Sequence, residues 1–109
     1  MIFSSIELVY NLVENAIKYN FSDGTVTVTA TQQNSQLHLT VEDTGNGIPE
    51  ELKERIFEPF FRLDKSRSRE LGGVGLGLAL VREIVRVHNG SILVKNNANS
   101  GTTFEVIFP

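Results

Sequence analysis

The run TVTVTAT, Thr25 to Thr31, alternates strictly between β-branched apolar and polar residues, and QLHLTVED, Gln36 to Asp43, alternates again after the turn-forming QQNS. A period of two puts Val26, Val28 and Ala30 on one face with threonines on the other, and then Leu37, Leu39 and Val41 inward. Two such runs so close together make an antiparallel hairpin, expected to be half buried. Near the C-terminus SILVK and TTFEVIF repeat the pattern around NNANSG. A second hairpin follows. Both pairs need a covering layer, and the sequence supplies it in two stretches where the period changes from two to about 3.6.

The first stretch is Ser4 to Tyr19. With about 100° per residue and Asn11 at the origin, Asn15 falls near 40°, Lys18 near −20°, Glu7 near −40° and Glu14 near −60°. Ile6, Leu8, Val9, Leu12, Val13, Ala16 and Ile17 take the other side, and Ser4 with Glu7 reads as a capping box. The second stretch is Leu76 to His88, with Leu78, Val81, Ile84 and Val85 apolar and Arg82, Glu83 and Arg86 outward; Gly90 reads as its left-handed cap. PEELKERIF reads as a short helix with Pro49 in its first turn. Between Leu63 and Val74 no period holds, and a loop of roughly a dozen residues is expected there. Helix, hairpin, short helix, loop, helix, hairpin spells an α+β two-layer sandwich. Its sheet is mixed but mostly antiparallel, and its helices pack on one face.

The 109 residues fit one domain, residues 1–109, and 40% are apolar, enough for a packed core. No apolar run nears the ~20 residues of a membrane span, and no signal peptide leads the chain. Cysteine is absent, which excludes disulfides and thiolate metal sites. A net charge of −3 argues against nucleic-acid binding, which needs a basic face. Any anion site must come from local geometry.

Three constellations carry chemistry. The polar stripe Asn11, Asn15, Lys18 is unusual, because asparagine is a poor helix former. It is either a solvated face or a neutral oxygen donor for a hard cation such as Mg2+, beside a lysine for phosphates. In VEDTGNGIP, Asp43 ends a strand ahead of Gly45 and Gly47; this is either a plain turn or a carboxylate at the floor of a pocket able to accept a hydrogen bond from an exocyclic amine. In GGVGLGLAL, Gly72, Gly73, Gly75 and Gly77 open a helix, as a hinge, a phosphate cradle or both. Arg62, Lys65, Arg67 and Arg69 precede it and are either a solvated run or part of a lid.

In this order the pieces resemble the catalytic and ATP-binding domain of two-component sensor histidine kinases, within the ATPase superfamily shared with gyrase and mismatch-repair proteins. NLVENAIKY resembles the family's asparagine box, DTGNGIP its first glycine box, FEPFFR its phenylalanine box, GVGLGLAL its second glycine box and GTTF its third. The resemblance implies that Asn15 binds Mg2+ and that Asn11 orients metal, terminal phosphate and nucleophile. Lys18 would contact phosphates and Tyr19 would lie near the nucleotide. Asp43 would read the adenine amino group, with Thr103 nearby through water, and Gly45, Gly47 and Ile48 would shape the pocket. Arg62 would reach the terminal phosphate, while Val74, Gly75, Leu76, Gly77 and Leu78 would offer backbone N–H groups.

The ligands implied are ATP and Mg2+. The partners implied are a histidine-bearing dimerisation domain and, indirectly, a response regulator, with no direct membrane contact. The setting implied is the cytosolic portion of a membrane-anchored parent. The family's phosphoaccepting histidine is not matched by His38 or His88, and its upstream strand is not matched by MIFSSI, so a truncated module is expected, whose open edge invites self-association. Two alternatives remain from the sequence: a nucleotide-binding module without transfer activity, and a serine-phosphorylating kinase of the anti-sigma-factor type. Asparagine at Asn11, where hydrolysing relatives carry a carboxylate, favours the histidine kinase.

Overall fold

A computed structural model of the chain describes residues 2–61, 77–98 and 100–109, with side chains from Ile6 onward. The first helix, α1 (Ile2–Lys18), begins before Ser4, so Ser4 lies within it and does not cap it. Strands β1 (Val26–Gln33) and β2 (Gln36–Asp43) form the first hairpin. Asn34 and Ser35, at φ 52° and 68°, make the two-residue turn whose twist matches that of the strands. Helix α2 (Gly77–Val87) is followed by β3 (Ser91–Asn96) and β4 (Thr102–Phe108). Among the described residues the sheet order is β1-β2-β4-β3 with every pairing antiparallel, where a mixed sheet was expected.

The core is where the two layers meet. Leu8, Leu12 and Ala16 of α1 and Val81, Ile84 and Val85 of α2 pack on Leu39, Val41, Phe104 and Val106 of the two central strands. Arg82, Glu83 and Arg86 are exposed, as their periodicity dictates. The expected half-burial of β1 does not hold. Val28 pairs with Val41 on the helix side of the sheet, yet it is 46% exposed, and Ala30 and Leu37 are exposed too. Ile6 and Ile17 on the adjoining flank of α1 are also exposed. The helices cover the middle of the sheet and stop short of this edge.

Two local expectations change. PEELKERIF forms two 3-10 turns, Glu50–Leu52 and Arg55–Phe57, in place of an α-helix, with Pro49 immediately ahead of the first. The left-handed residue ending α2 is Asn89 at φ 59°, not Gly90. The N–H of Gly90 donates to the carbonyl of Val85 at 2.9 Å and that of Asn89 to Arg86 at 3.1 Å, the paired bonds of a Schellman cap. Asparagine tolerates this conformation because its short polar side chain carries little steric penalty there. The loop expected from Leu63 to Val74 lies outside the described residues. Among the described residues no helix is long and apolar enough to cross a membrane.

Candidate functional site

The two hairpins and α1 converge on one cleft. Asn15 and Tyr19 of α1, Asp43 at the end of β2, Gly47 and Ile48 of the following loop, and Thr102 and Phe104 of β4 line it. In this conformation it is narrow, with a cavity volume of about 20 Å3, well below the roughly 300–1,000 Å3 of small-molecule sites. Phe104 forms its base and is braced edge-to-face by Phe57 at 6.3 Å between ring centroids.

Asp43 is 5% exposed. Its Oδ1 accepts the backbone N–H of Gly45 at 2.8 Å and that of Thr102 at 3.2 Å. Both backbone donors therefore converge on one oxygen, and Oδ2 has no protein partner among the described residues. Burial pushes the carboxyl above its ordinary value, the two N–H donors pull it back and the neighbouring Glu42 raises it again. Desolvation wins, so an ionised Asp43 in the open cleft lacks enough donors. A ligand amine would supply one.

The backbone around Asp43 is held by the β3–β4 turn. The carbonyl of Asp43 accepts from Nδ2 of Asn97 at 3.0 Å, and Ser100 Oγ donates to the carbonyls of Thr44 and Gly45. Gly101, at φ 101°, presses so close that a Cβ would stand 1.9 Å from the Asp43 carbonyl oxygen. On the far side of α1's end, the buried Asn20 donates to the carbonyl of Thr25 at 2.8 Å and accepts from the Thr44 hydroxyl at 3.1 Å. These contacts fix the floor of the cleft without entering it.

Along α1 the polar stripe divides. Asn15 is half buried, lines the cleft, and its amide has no hydrogen-bond partner among the described residues. Asn11, one turn earlier, donates to the carbonyl of Glu7 at 2.8 Å, and its Oδ1 lies against the first residue of α2: a Cβ on Gly77 would come within 2.9 Å of it. Lys18 pairs with Glu14 at 3.5 Å, near the surface, and stands outside the cleft lining. Leu78 is half buried against the core. The candidate residues Arg62, Val74, Gly75 and Leu76 lie outside the described residues.

Thr103 is not where the sequence expectation placed it. Inward Phe104 and Val106 fix the phase of β4, so Thr102 points into the cleft, 4% exposed, while Thr103 points to the other face of the sheet and donates to Asn97. The signal was available: Thr102 shares parity with Phe104. The turn residues Asn96 and Asn97 also escaped the sequence reading, because an asparagine-rich turn has an ordinary explanation in turn propensity.

Residues 5–109 match the family described as histidine kinase-, DNA gyrase B- and HSP90-like ATPase. The chain belongs to that family. It is 45% identical over 96 residues to the signal transduction histidine-protein kinase ArlS of Staphylococcus aureus, a match covering 88% of this chain but 21% of ArlS, so the chain spans about a fifth of that relative. The nucleotide-free catalytic domain of the histidine kinase ThkA superposes with a TM-score of 0.83 at 34% identity, over 98% of this chain and 66% of that one. The mycobacterial sensor histidine kinase MprB gives 0.81 at 32%, over 94% and 68%. ShkA, solved with AMPPNP, gives 0.81 at 28%, over 97% of this chain and 21% of ShkA. The α+β sandwich is thus that of histidine kinase catalytic domains.

Proposed function

We propose that the module positions ATP for transfer of its γ-phosphoryl group to a histidine on a separate dimerisation domain. The observation that carries this reading is the convergence of Asn15, Asp43, Ile48 and Thr102 on one cleft, with Gly77 of α2 against Asn11 one helical turn before Asn15. The purine would lie on Phe104 beside Ile48, its amino group donating to Oδ2 of Asp43. The triphosphate would run along α1 toward Asn11 and the start of α2, where backbone N–H groups favour anions. Val74 through Leu78 would supply those groups, Lys18 and Arg62 the opposing charge, and Tyr19 a wall beside the nucleotide.

The residues present fit a hard divalent cation: Asn15 offers a neutral amide oxygen already facing the cleft and committed to nothing else described. Mg2+ held there with the triphosphate would supply charge neutralisation as the phosphoryl group moves. Asn11 would orient the terminal phosphate. The histidine nitrogen attacks the γ-phosphorus, a P–N bond forms, the bond to the β–γ bridging oxygen breaks, and ADP leaves. Phosphoryl transfer needs positioning and charge compensation more than protein nucleophiles, which suits a cleft of amides, one buried carboxylate and helix termini. The phosphohistidine would pass its group to a response regulator, on the cytosolic side of a membrane-anchored parent.

The test mixes the chain with the histidine-bearing dimerisation domain of its parent and ATP labelled at the γ-phosphate. Label on that histidine, abolished by Asn11→Ala, is the expected result. Bound nucleotide without label on the histidine would leave a binding module and overturn the transfer reading.

A further inference from the structure

Two adjacent asparagines at the end of β3 grip the two ends of the loop that walls the cleft. Asn96 Oδ1 accepts the N–H of Ile48 at 2.9 Å, and Asn96 Nδ2 donates to the carbonyl of the same residue at 2.9 Å. One side-chain amide thus satisfies both backbone groups of one residue, as a neighbouring strand would. Gly47, at φ 81°, makes the approach possible: a Cβ there would stand 3.0 Å from Asn96 Oδ1. Asn97 holds the other end through the carbonyl of Asp43. Ile48 and Asp43 both line the cleft, and both are buried.

We propose that Asn96 is a positioning residue for base recognition: by pairing with both backbone groups of Ile48 it sets the distance between the apolar wall and the aspartate, and so the width of the slot that admits the purine. Asn96 itself is absent from the cleft lining, so it acts through Ile48 and not on the ligand. Without the clamp, the loop from Gly45 to Ile48 keeps its attachments at the Asp43 end only. Ile48 then drifts, and the base loses contact before the phosphates do. This proposal rests on the nucleotide reading of the cleft.

The experiment compares wild type, Asn96→Ala and Asn96→Asp for binding of adenosine and inosine triphosphates with Mg2+, together with hydrogen exchange at the Ile48 amide. Inosine carries a carbonyl where adenosine carries the amino group, so the ratio of the two affinities isolates base reading. Asn96→Asp preserves size and the acceptor for the Ile48 N–H while removing the donor to its carbonyl, and it serves if Asn96→Ala fails to fold. In either folded variant ATP affinity should fall about three- to tenfold and inosine triphosphate affinity should fall less, while in Asn96→Ala, which loses the acceptor, the Ile48 amide should also exchange faster. Equal weakening of both nucleotides in a folded variant, or an Ile48 amide in folded Asn96→Ala as protected as in wild type, overturns the clamp. A wild-type chain that binds neither nucleotide, or shows no preference for adenosine, overturns the underlying reading, and the proposal falls with it.

Discussion

Replacing Asp43 with asparagine separates what this residue does for the fold from what it does for a ligand. Its Oδ1 accepts two backbone N–H groups, from Gly45 at 2.8 Å and Thr102 at 3.2 Å. An asparagine of the same size can keep both only by placing its carbonyl oxygen there, which turns its NH2 toward the cleft. The adenine amino group would then meet a donor. The loss is a hydrogen bond to a charged group, roughly 1.5–3 kcal/mol, or about 10- to 150-fold in affinity. Inosine triphosphate, with an acceptor at that position, should bind Asp43→Asn better than it binds wild type.

Stability should move the other way. Burial raises the Asp43 carboxyl, so folding favours its protonated form. That stabilisation is fully present below the ordinary carboxyl pKa and is lost as pH rises through the raised folded value. Above the raised folded value the ionised group is a cost which Asp43→Asn removes, so there the variant should unfold at a temperature no lower than wild type. On acidification through that window wild type should gain on the variant. Calorimetric titration with both nucleotides and thermal unfolding across pH check both halves. A folded Asp43→Asn that keeps ATP affinity within about twofold would refute the assignment of Asp43 as base reader.

Two further substitutions test the frame. Gly101→Ala should cost at least about 2 kcal/mol, because it combines a left-handed backbone with a clash against the Asp43 carbonyl; an unchanged melting temperature would contradict the packing described. Gly77→Ala should leave stability unchanged or raise it by up to about 1 kcal/mol, alanine being the better helix residue, yet slow phosphoryl transfer by displacing the Asn11 side chain. Lowered stability with unaltered transfer would reverse that assignment.

The alternation of TVTVTAT and QLHLTVED fixed the first hairpin and its turn, and the helical period of Leu78, Val81, Ile84 and Val85 fixed the buried face of α2. Alternation reports which residues share a face but not whether anything covers that face. Hence Val28 and Ala30 read as interior although the helices do not reach them. The 3-10 turns after Pro49 escaped for a related reason, since PEELKERIF has a helical composition but is pinned at both ends, by Ile48 on Asn96 and by buried Phe57 on Phe104. Asp43 and Asn15, which the sequence singled out with a plain turn and a solvated face as alternatives, do line one cleft. Asn96 and Asn97 were not singled out, because asparagine in a turn needs no explanation until its long-range partners are seen. Thr102 could have been chosen over Thr103 from strand parity alone.

The proposed nucleotide site is one cleft, between the amide of Asn15 and the carboxylate of Asp43. It is open to an amide and side-chain NMR titration of the 109-residue chain with ATP and Mg2+. Saturable shifts are expected at Asn15, Gly45, Gly47, Ile48 and Thr102, with the Asn15 side chain responding only when Mg2+ is present. Saturable shifts confined to the opposite face of the sheet, around Thr29 and Leu93, or no saturable shifts anywhere, would contradict it.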